Sequence, residues 1–215
     1  MAAEQPPVDV EFFLDPVCPW CWITSRWVTH VQEETDYTVG WRFISLYVLN
    51  EDKEPSEEMR QAHTGGLRAL RVLDQVRTDH GNDAVAALYT ELGTRLHVEG
   101  RRGDLVGDSV SFLAEALTAA GLDPALASHA HDESHDAGLR AEVEVALSRT
   151  GPNVGTPILT FAPGQGEREG SFFGPVISKA PRGADAVKLW EAVETLATSG
   201  VAELKRSLRA KLDFS

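Results

Sequence analysis

Residues 8–27 read VDVEFFLDPVCPWCWITSRW, and their pattern decides the fold. Val8, Val10 and Phe12 alternate before a short apolar run, which predicts a buried strand over Val8–Leu14. Asp15-Pro16 ends it. From Cys18-Pro19 onward Trp22, Ile23, Trp27 and Val31 recur at helical spacing, so a helix is expected to open on the first cysteine. Tyr37 to Leu46 (YTVGWRFISL) alternates again at Val39, Trp41 and Phe43 and predicts a second strand. Strand, helix, strand is a βαβ unit, whose strands are expected to be parallel and joined by a right-handed crossover.

Cys18 and Cys21 are the two cysteines of the 215-residue chain. A ring closed across two intervening residues removes little loop entropy, so the pair is not a staple. Its position suits chemistry. A thiol at a helix N-terminus faces unpaired backbone N–H groups and the positive end of the dipole, and both favour thiolate. The thiolate is the attacking species in thiol–disulfide exchange. Cys18 is therefore the expected nucleophile, and Cys21, nearly one turn deeper, can resolve a mixed disulfide on it. Pro19 suits the first helical turn, where its missing N–H would be unpaired anyway.

Residues 51–150 show no strand-like alternation. Leu67, Leu70, Leu73 and Val76 form one helical stripe, and Gly65-Gly66 is expected to break whatever precedes it. Asn82-Asp83 is read as the cap of a second helix and Asp108 as that of a third, which Gly121 stops. Asp123-Pro124 opens a short fourth, and a fifth runs from about Asp136 to Arg149, closed by Gly151. The block reads as an all-helical insert. Mixed structure then returns, with a strand Pro157–Phe161, a Gly-rich loop 164–170, a hairpin partner Ser171–Phe173 and a helix Ala184–Ser199. The expected organisation is an α/β domain of residues 1–50 and 151–215 interrupted by a helical domain of residues 51–150.

Composition excludes several functions. Twenty basic against 33 acidic residues give a net charge of −13, which repels phosphate backbones, so no nucleic-acid partner is expected. The charge is −5 over residues 1–50, −9 over 51–150 and +1 over 151–215, so the negative excess belongs mostly to the insert. No run of 18 apolar residues exists, so no membrane span is expected. Residues 1–9 carry no Lys or Arg and no long apolar stretch, hence neither a signal nor a transit peptide is expected and the expected location is cytoplasmic. There thiols stay reduced, and a disulfide is usually transient and catalytic. No GxGxxG, GxxxxGK[ST] or GxSxG fingerprint occurs. Direct use of NADPH through a dinucleotide fold is not expected. The bland alternative for CxxC is a zinc half-site completed by His129, His131 and His135. It is disfavoured because the one CxxC lies between an apolar strand and an apolar helix, while the histidines sit among acids on what reads as a solvated turn. No metal is expected.

These residues resemble the DsbA branch of the thioredoxin superfamily: βαβ with CPWC at the helix start, a large helical insertion, a Thr-Pro strand and a terminal helix. Asp15–Trp27, Leu49-Asn50-Glu51, Gly155-Thr156-Pro157, Phe172-Phe173-Gly174-Pro175-Val176, Pro181-Arg182-Gly183 and Leu204-Lys205-Arg206 more specifically resemble the mycothiol-dependent nitroreductase group. The resemblance runs over nearly the whole chain. It implies a thioredoxin-like fold of the DsbA type and a dithiol that mycothiol reduces, with NADPH acting only indirectly through a separate reductase. No tightly bound cofactor is implied. The reduced pair would pass two electrons to a disulfide or a nitro-aromatic compound. Thr156 and Pro157 would shape the thiol pocket, with a cis bond placing Thr156 beside the thiols. Pro19 would belong to the same pocket, Trp20 and Trp22 would offer aromatic surface to a flat substrate, and Asn50 and His97 are further candidate pocket residues. Partners would be a low-molecular-weight thiol and a small-molecule or disulfide substrate. Val201, Leu204 and Leu208 would dock on a partner subunit, giving a homodimer, or on their own domain.

Two other readings keep related folds. A DsbA-type protein disulfide oxidant or isomerase would differ in redox potential. A kappa-type glutathione-linked isomerase would carry serine in place of Cys18.

Overall fold

The computed structural model describes residues 7–206 and 208–214. Among these, four strands form one sheet: β1 (Val10–Leu14), β2 (Val39–Phe43), β3 (Ile158–Phe161) and β4 (Gly170–Phe173), in the order β2-β1-β3-β4. β1 and β2 are parallel, Phe12 opposite Trp41, as the βαβ reading requires. β3 runs antiparallel to β1, with Phe13 opposite Ile158, and forms a hairpin with β4.

The alternation along β1 sorts its side chains onto two faces. Val10, Phe12 and Leu14 join the main core with Trp22, Trp27 and Val31 of α1 (Pro19–Glu34) and Trp190 of α8 (Ala184–Ala197). Phe13 faces the other way and packs with Ile44, Ile158 and with Val143 and Ala146 of α7 (Asp136–Thr150). A strand covered on both faces has to be apolar nearly throughout. The indole N–H of Trp27 donates to the Ala186 carbonyl at 2.9 Å, locking α1 to α8.

Between β2 and β3 the chain is helical: α2 (Leu46–Leu49), α3 (Glu57–His80), α4 (Asn82–Gly93), a π-helical turn (Thr94–Val98), α5 (Arg102–Gly107), α6 (Ser109–Ala119), two 3₁₀ segments (Pro124–His131 and Glu133–His135), then α7. Asp108 and Asp123 cap as expected, and Gly121 and Gly151 end their helices at positive φ. The expected short fourth helix is 3₁₀ rather than α.

Two expectations fail. Gly65-Gly66 does not break α3, which is continuous from Glu57 to His80. The pair is there for close approach: a Cβ on Gly65 would lie 3.1 Å from Leu105 Cγ, and one on Gly66 3.0 Å from both Asp15 Oδ1 and Val17 Cγ2. Tertiary packing overrides a propensity cost of only about 1 kcal/mol per glycine. Asn82 does not cap α4 with its side chain. Its Oδ1 accepts from Trp41 N–H and its Nδ2 donates to Val39 O, both at 2.8 Å, along the outer edge of β2. Glu142 of α7 does likewise, accepting from Phe43 N–H at 2.8 Å.

Arg42 of β2 joins Glu11 of β1 to Glu142, and Arg77 of α3 joins Glu142 to Asp74. Arg149 also reaches Glu11. The helices between β2 and β3 are thus tied to the sheet by charge as well as by the shared core.

Gly93 is the tightest of these contacts in the helical segment. An added Cβ would sit 2.0 Å from Cε3 of the Trp22 ring, inside van der Waals distance. Overpacking of this kind costs roughly 1–3 kcal/mol. Gly93→Ala is expected to lower the urea midpoint accordingly, whereas Gly103→Ala, with open space around it, is not. Equal midpoints for the two variants would contradict this packing.

Candidate active site

Strand β1 ends at Leu14, and four residues later the helix begins. Cys18 is its N-cap, with Pro19 in the first turn. The Cys21 amide N–H donates to Cys18 Sγ at 3.4 Å, so the thiol receives one of the amides that a helix start leaves unpaired. Both cysteines are free thiols and buried. Thr156 closes over them from the other end of the chain. Its Oγ1 accepts from Cys21 Sγ at 3.2 Å, and its carbonyl lies 3.9 Å from Cys18 Sγ. The Thr156–Pro157 peptide is cis, as expected, and so is Gly174–Pro175. Thr24 of α1 donates to the Pro175 carbonyl at 2.9 Å, joining the Gly174-Pro175 turn to the cysteine helix.

The thiols are held in opposite tendencies. Cys18 titrates below its ordinary value, chiefly because the Cys21 thiol hydrogen-bonds it, with Thr156 and the Cys21 amide adding to this against burial and the Asp15 charge. Cys21 is pushed well up, first by burial and then by its Cys18 neighbour. One sulfur is thereby favoured as thiolate and the other as thiol.

The segment that carries Cys18 is fixed largely by the helices that follow β2. Asp15 is fully buried, and its two carboxylate oxygens accept from Val17 N–H at 2.9 Å and Leu46 N–H at 2.7 Å. Burial pushes its carboxyl up to about 6. His97, on the π-helical turn, contacts the Pro16 carbonyl through Nε2 at 2.9 Å. A carbonyl only accepts, so Nε2 carries the proton. Burial holds this imidazole down to about 4. Arg102 of α5 donates to the Val17 carbonyl at 3.3 Å.

The other expected pocket residues divide. Trp20 is half-buried, with the Arg209 guanidinium 5.0 Å above its ring. Trp22 is not an aromatic surface for a substrate: it is 4% exposed, stacked on His97 and edge-on to Tyr89. Its position on α1 points it into the core between α1 and α4. His97 lies behind the cysteine segment, between Trp22 and Phe214. Asn50 ends α2, donating to the Leu46 carbonyl and accepting from Lys53. Val201, Leu204 and Leu208 do not dock on their own domain and stay exposed; Leu212 and Phe214 pack on the core instead. Of the histidines in the disfavoured zinc alternative, His129 and His135 cluster with Asp132, and neither cysteine joins them.

The roles of Asp15, Gly66 and Arg102 are not predicted from the sequence: Asp15-Pro16 reads as a strand end and Gly65-Gly66 as a helix break. The available signal is a carboxylate closing an apolar strand three residues before a CxxC.

Fold and site together define a class, the oxidoreductases of the thioredoxin superfamily in its DsbA branch, where a helical segment interrupts the sheet-forming chain. Two solved structures share the fold. A putative protein disulfide isomerase from Nitrosomonas europaea has a TM-score of 0.58 at 15% identity, covering 89% of this chain and 98% of its own. The cytosolic disulfide reductase DsbM from Pseudomonas aeruginosa has a TM-score of 0.55 at 19% identity, covering 87% and 99%. More particularly, residues 17–206 match the family model described as Rv2466c-like, mycothiol-dependent nitroreductase Rv2466c, and the chain belongs to that family. It is an oxidoreductase. The uncharacterized protein Rv2286c of Mycobacterium tuberculosis is 28% identical over 190 residues, covering 87% of this chain and 76% of that protein. Among the described residues no helix is long and apolar enough to cross a membrane.

Two titrations follow from this site. Thiolate absorbance against pH is expected to show one cysteine ionising below the ordinary thiol value of about 8.5. Its midpoint should fall further in Asp15→Asn, which removes a neighbouring negative charge; a rise would contradict the arrangement.

The second concerns stability. Unfolded His97 binds a proton that the folded form refuses between its ordinary value and about 4, so its contribution grows as pH rises through that window. Asp15 acts oppositely: its folded form keeps a proton up to about 6, so stability is lost as pH rises toward that value. Each is worth on the order of 3 kcal/mol, and over pH 4–6 they nearly cancel. His97→Asn is expected to uncover the Asp15 trend, losing stability relative to wild type as pH rises from 4.5 to 6.5 in urea titrations. Parallel pH profiles for the two proteins would overturn the assignment.

Proposed function

We propose that this chain is a cytoplasmic thiol–disulfide oxidoreductase whose Cys18–Cys21 dithiol is reduced by mycothiol and reduces disulfides or nitro-aromatic compounds. The observation that carries it is the Cys18 sulfur at the α1 N-cap, held below its ordinary pKa, with Cys21 one turn deeper and pushed up. Membership of the mycothiol-dependent nitroreductase family supplies the thiol class.

On this reading the Cys18 thiolate attacks one sulfur of a substrate disulfide. That S–S bond breaks, one substrate thiolate leaves and takes a proton, and a mixed disulfide remains on Cys18. Cys21 loses its proton, attacks the Cys18 sulfur and releases the second substrate thiol. The substrate has gained two electrons and two protons, and the protein holds a Cys18–Cys21 disulfide. Two mycothiol molecules reverse this change and leave as their own disulfide. A nitro group would take the same two electrons and two protons to become a nitroso group and water. Pro19, Thr156 and Pro157 shape the pocket around the sulfurs, and Trp20 supplies its aromatic wall. Trp22, Asn50 and His97 act at one remove by fixing the elements behind it.

No tightly bound cofactor is needed, since NADPH enters only through the reductase that regenerates mycothiol. Residues 51–150 are read as a domain inserted into a thioredoxin-like domain of residues 1–50 and 151–215. The exposed Val201, Leu204 and Leu208 support association of two copies through the tail.

The deciding experiment offers the oxidised protein mycothiol, glutathione or thioredoxin, each with its reductase and NADPH. NADPH consumption is expected with mycothiol. Cys18→Ser should abolish turnover, and Cys21→Ser should accumulate a mixed disulfide visible as added mass. Wild-type turnover by Cys18→Ser would end this proposal, and turnover supported by glutathione or thioredoxin alone would remove mycothiol from it.

A further inference from the structure

We propose that His129, Asp132 and His135 form a second site, separate from the dithiol, that binds a divalent transition-metal ion of the zinc class. Asp132 lies in extended backbone at the junction of two 3₁₀ segments, Pro124–His131 and Glu133–His135. The turn made there, and not one continuous helical face, brings His129, Asp132 and His135 together.

Their donor atoms converge. One ligand atom from each of the three lies within 4.8 Å of the others. Asp132 Oδ1 accepts from Ser134 N–H at 3.0 Å, and this turns Oδ2 toward the histidines. Oδ2 lies 3.4 Å from His129 Nδ1 and 3.9 Å from His135 Nε2. Ligand atoms around a tetrahedral zinc, each about 2.0–2.1 Å from the metal, stand about 3.4 Å apart. The cluster is thus within a side-chain adjustment of coordination geometry.

Two further features favour a metal over a simple ion pair. His135 Nδ1 lies 2.8 Å from Asp74 Oδ2, and Arg77 holds Asp74 in turn at 2.5 Å. A carboxylate on one ring nitrogen fixes the tautomer so that the other presents its lone pair outward, the usual support of a metal-ligating histidine. His129 Nδ1 is buried and makes no hydrogen bond of good geometry, with Asp132 Oδ2 beside it at 3.4 Å. Two imidazoles and one carboxylate suit zinc, nickel or copper rather than magnesium or calcium. Three protein ligands leave a fourth position for water at a half-exposed site. A bound ion would clip the turn between α6 and α7 to α3 through Asp74.

The fold separates these histidines from the cysteines and brings Asp132 to them.

The test uses untagged full-length protein with Cys18→Ser and Cys21→Ser, so that no thiol can hold metal. Zinc chloride titrated against a chromophoric chelator is expected to show one equivalent bound. Cobalt(II) should give visible d–d bands without sulfur charge-transfer absorption. His129→Ala and Asp132→Asn should each weaken binding by at least about tenfold, and Asp74→Asn by about 10–100-fold. Zinc should raise the melting temperature of the double-serine protein and not that of its His129→Ala derivative. His129 is partly exposed, so this derivative is expected to keep the helical circular dichroism of its parent. Failure of the double-serine protein to bind zinc, or binding unchanged by His129→Ala, overturns the proposal.

Discussion

The site depends on how the backbone of residues 15–18 is held. This segment leaves a strand and enters a helix, and buried backbone groups in such a join need partners outside both elements. They find them: Cys18 N–H on the Asp15 carbonyl, Val17 N–H on the Asp15 carboxylate, the Pro16 carbonyl on His97 and the Val17 carbonyl on Arg102. Leu46 N–H and the open flank of Gly66 complete the surroundings of Asp15. Burying a carboxylate carries a desolvation cost, and here two backbone N–H groups offset part of it. The position of one sulfur is thus set by groups from α2, α3, the π-helical turn and α5. The helical segment between β2 and β3 is the back wall of the loop that carries Cys18.

The central unit was legible because short-range patterns fix it. Period-two alternation gave β1 and β2, the 3.6-residue stripe gave α1, and the cysteine–proline step marked its start. The Thr156-Pro157 strand end is also plain, though its closure over the thiols is a contact across more than 130 residues that only the resemblance suggested. What stayed hidden is tertiary. Gly65 and Gly66 look like helix breakers until the neighbours that need the missing Cβ atoms are known. Asn82 looks like a cap until an unpaired strand edge is placed beside it. The π-helical turn has no apolar signature of its own, so His97 could be named but not located. Trp22 belongs to the stripe of α1 and also to a conspicuous aromatic motif; burial decides for the stripe.

Charge is organised along the same lines. The insert carries most of the negative excess, yet a set of its acids is not simply solvated. Glu142 and Asp74 are bridged by Arg77, and Glu142 is bridged to Glu11 through Arg42, so the charges run as a continuous chain from the sheet to α3. Exposed pairs of this kind contribute little singly. A partly buried chain of them fixes orientation, because no member can shift without leaving its neighbour unpaired.

The side chains of Asn82 and Glu142 have one more effect. Between them they occupy the Val39 carbonyl and the Trp41 and Phe43 amides along the outer side of β2. A strand at the border of a sheet is a template on which a foreign strand can pair, and proteins must blunt it. Here the blunting is supplied by residues that lie 39 or more positions away in sequence, within the inserted helices. Trimming this molecule to its sheet-forming halves would keep both cysteines and the Thr156-Pro157 turn, and would also open a sticky border to self-association. The helices between β2 and β3 therefore serve as the missing neighbour of the sheet, and shortening them at Asn82 or Glu142 would bare that border.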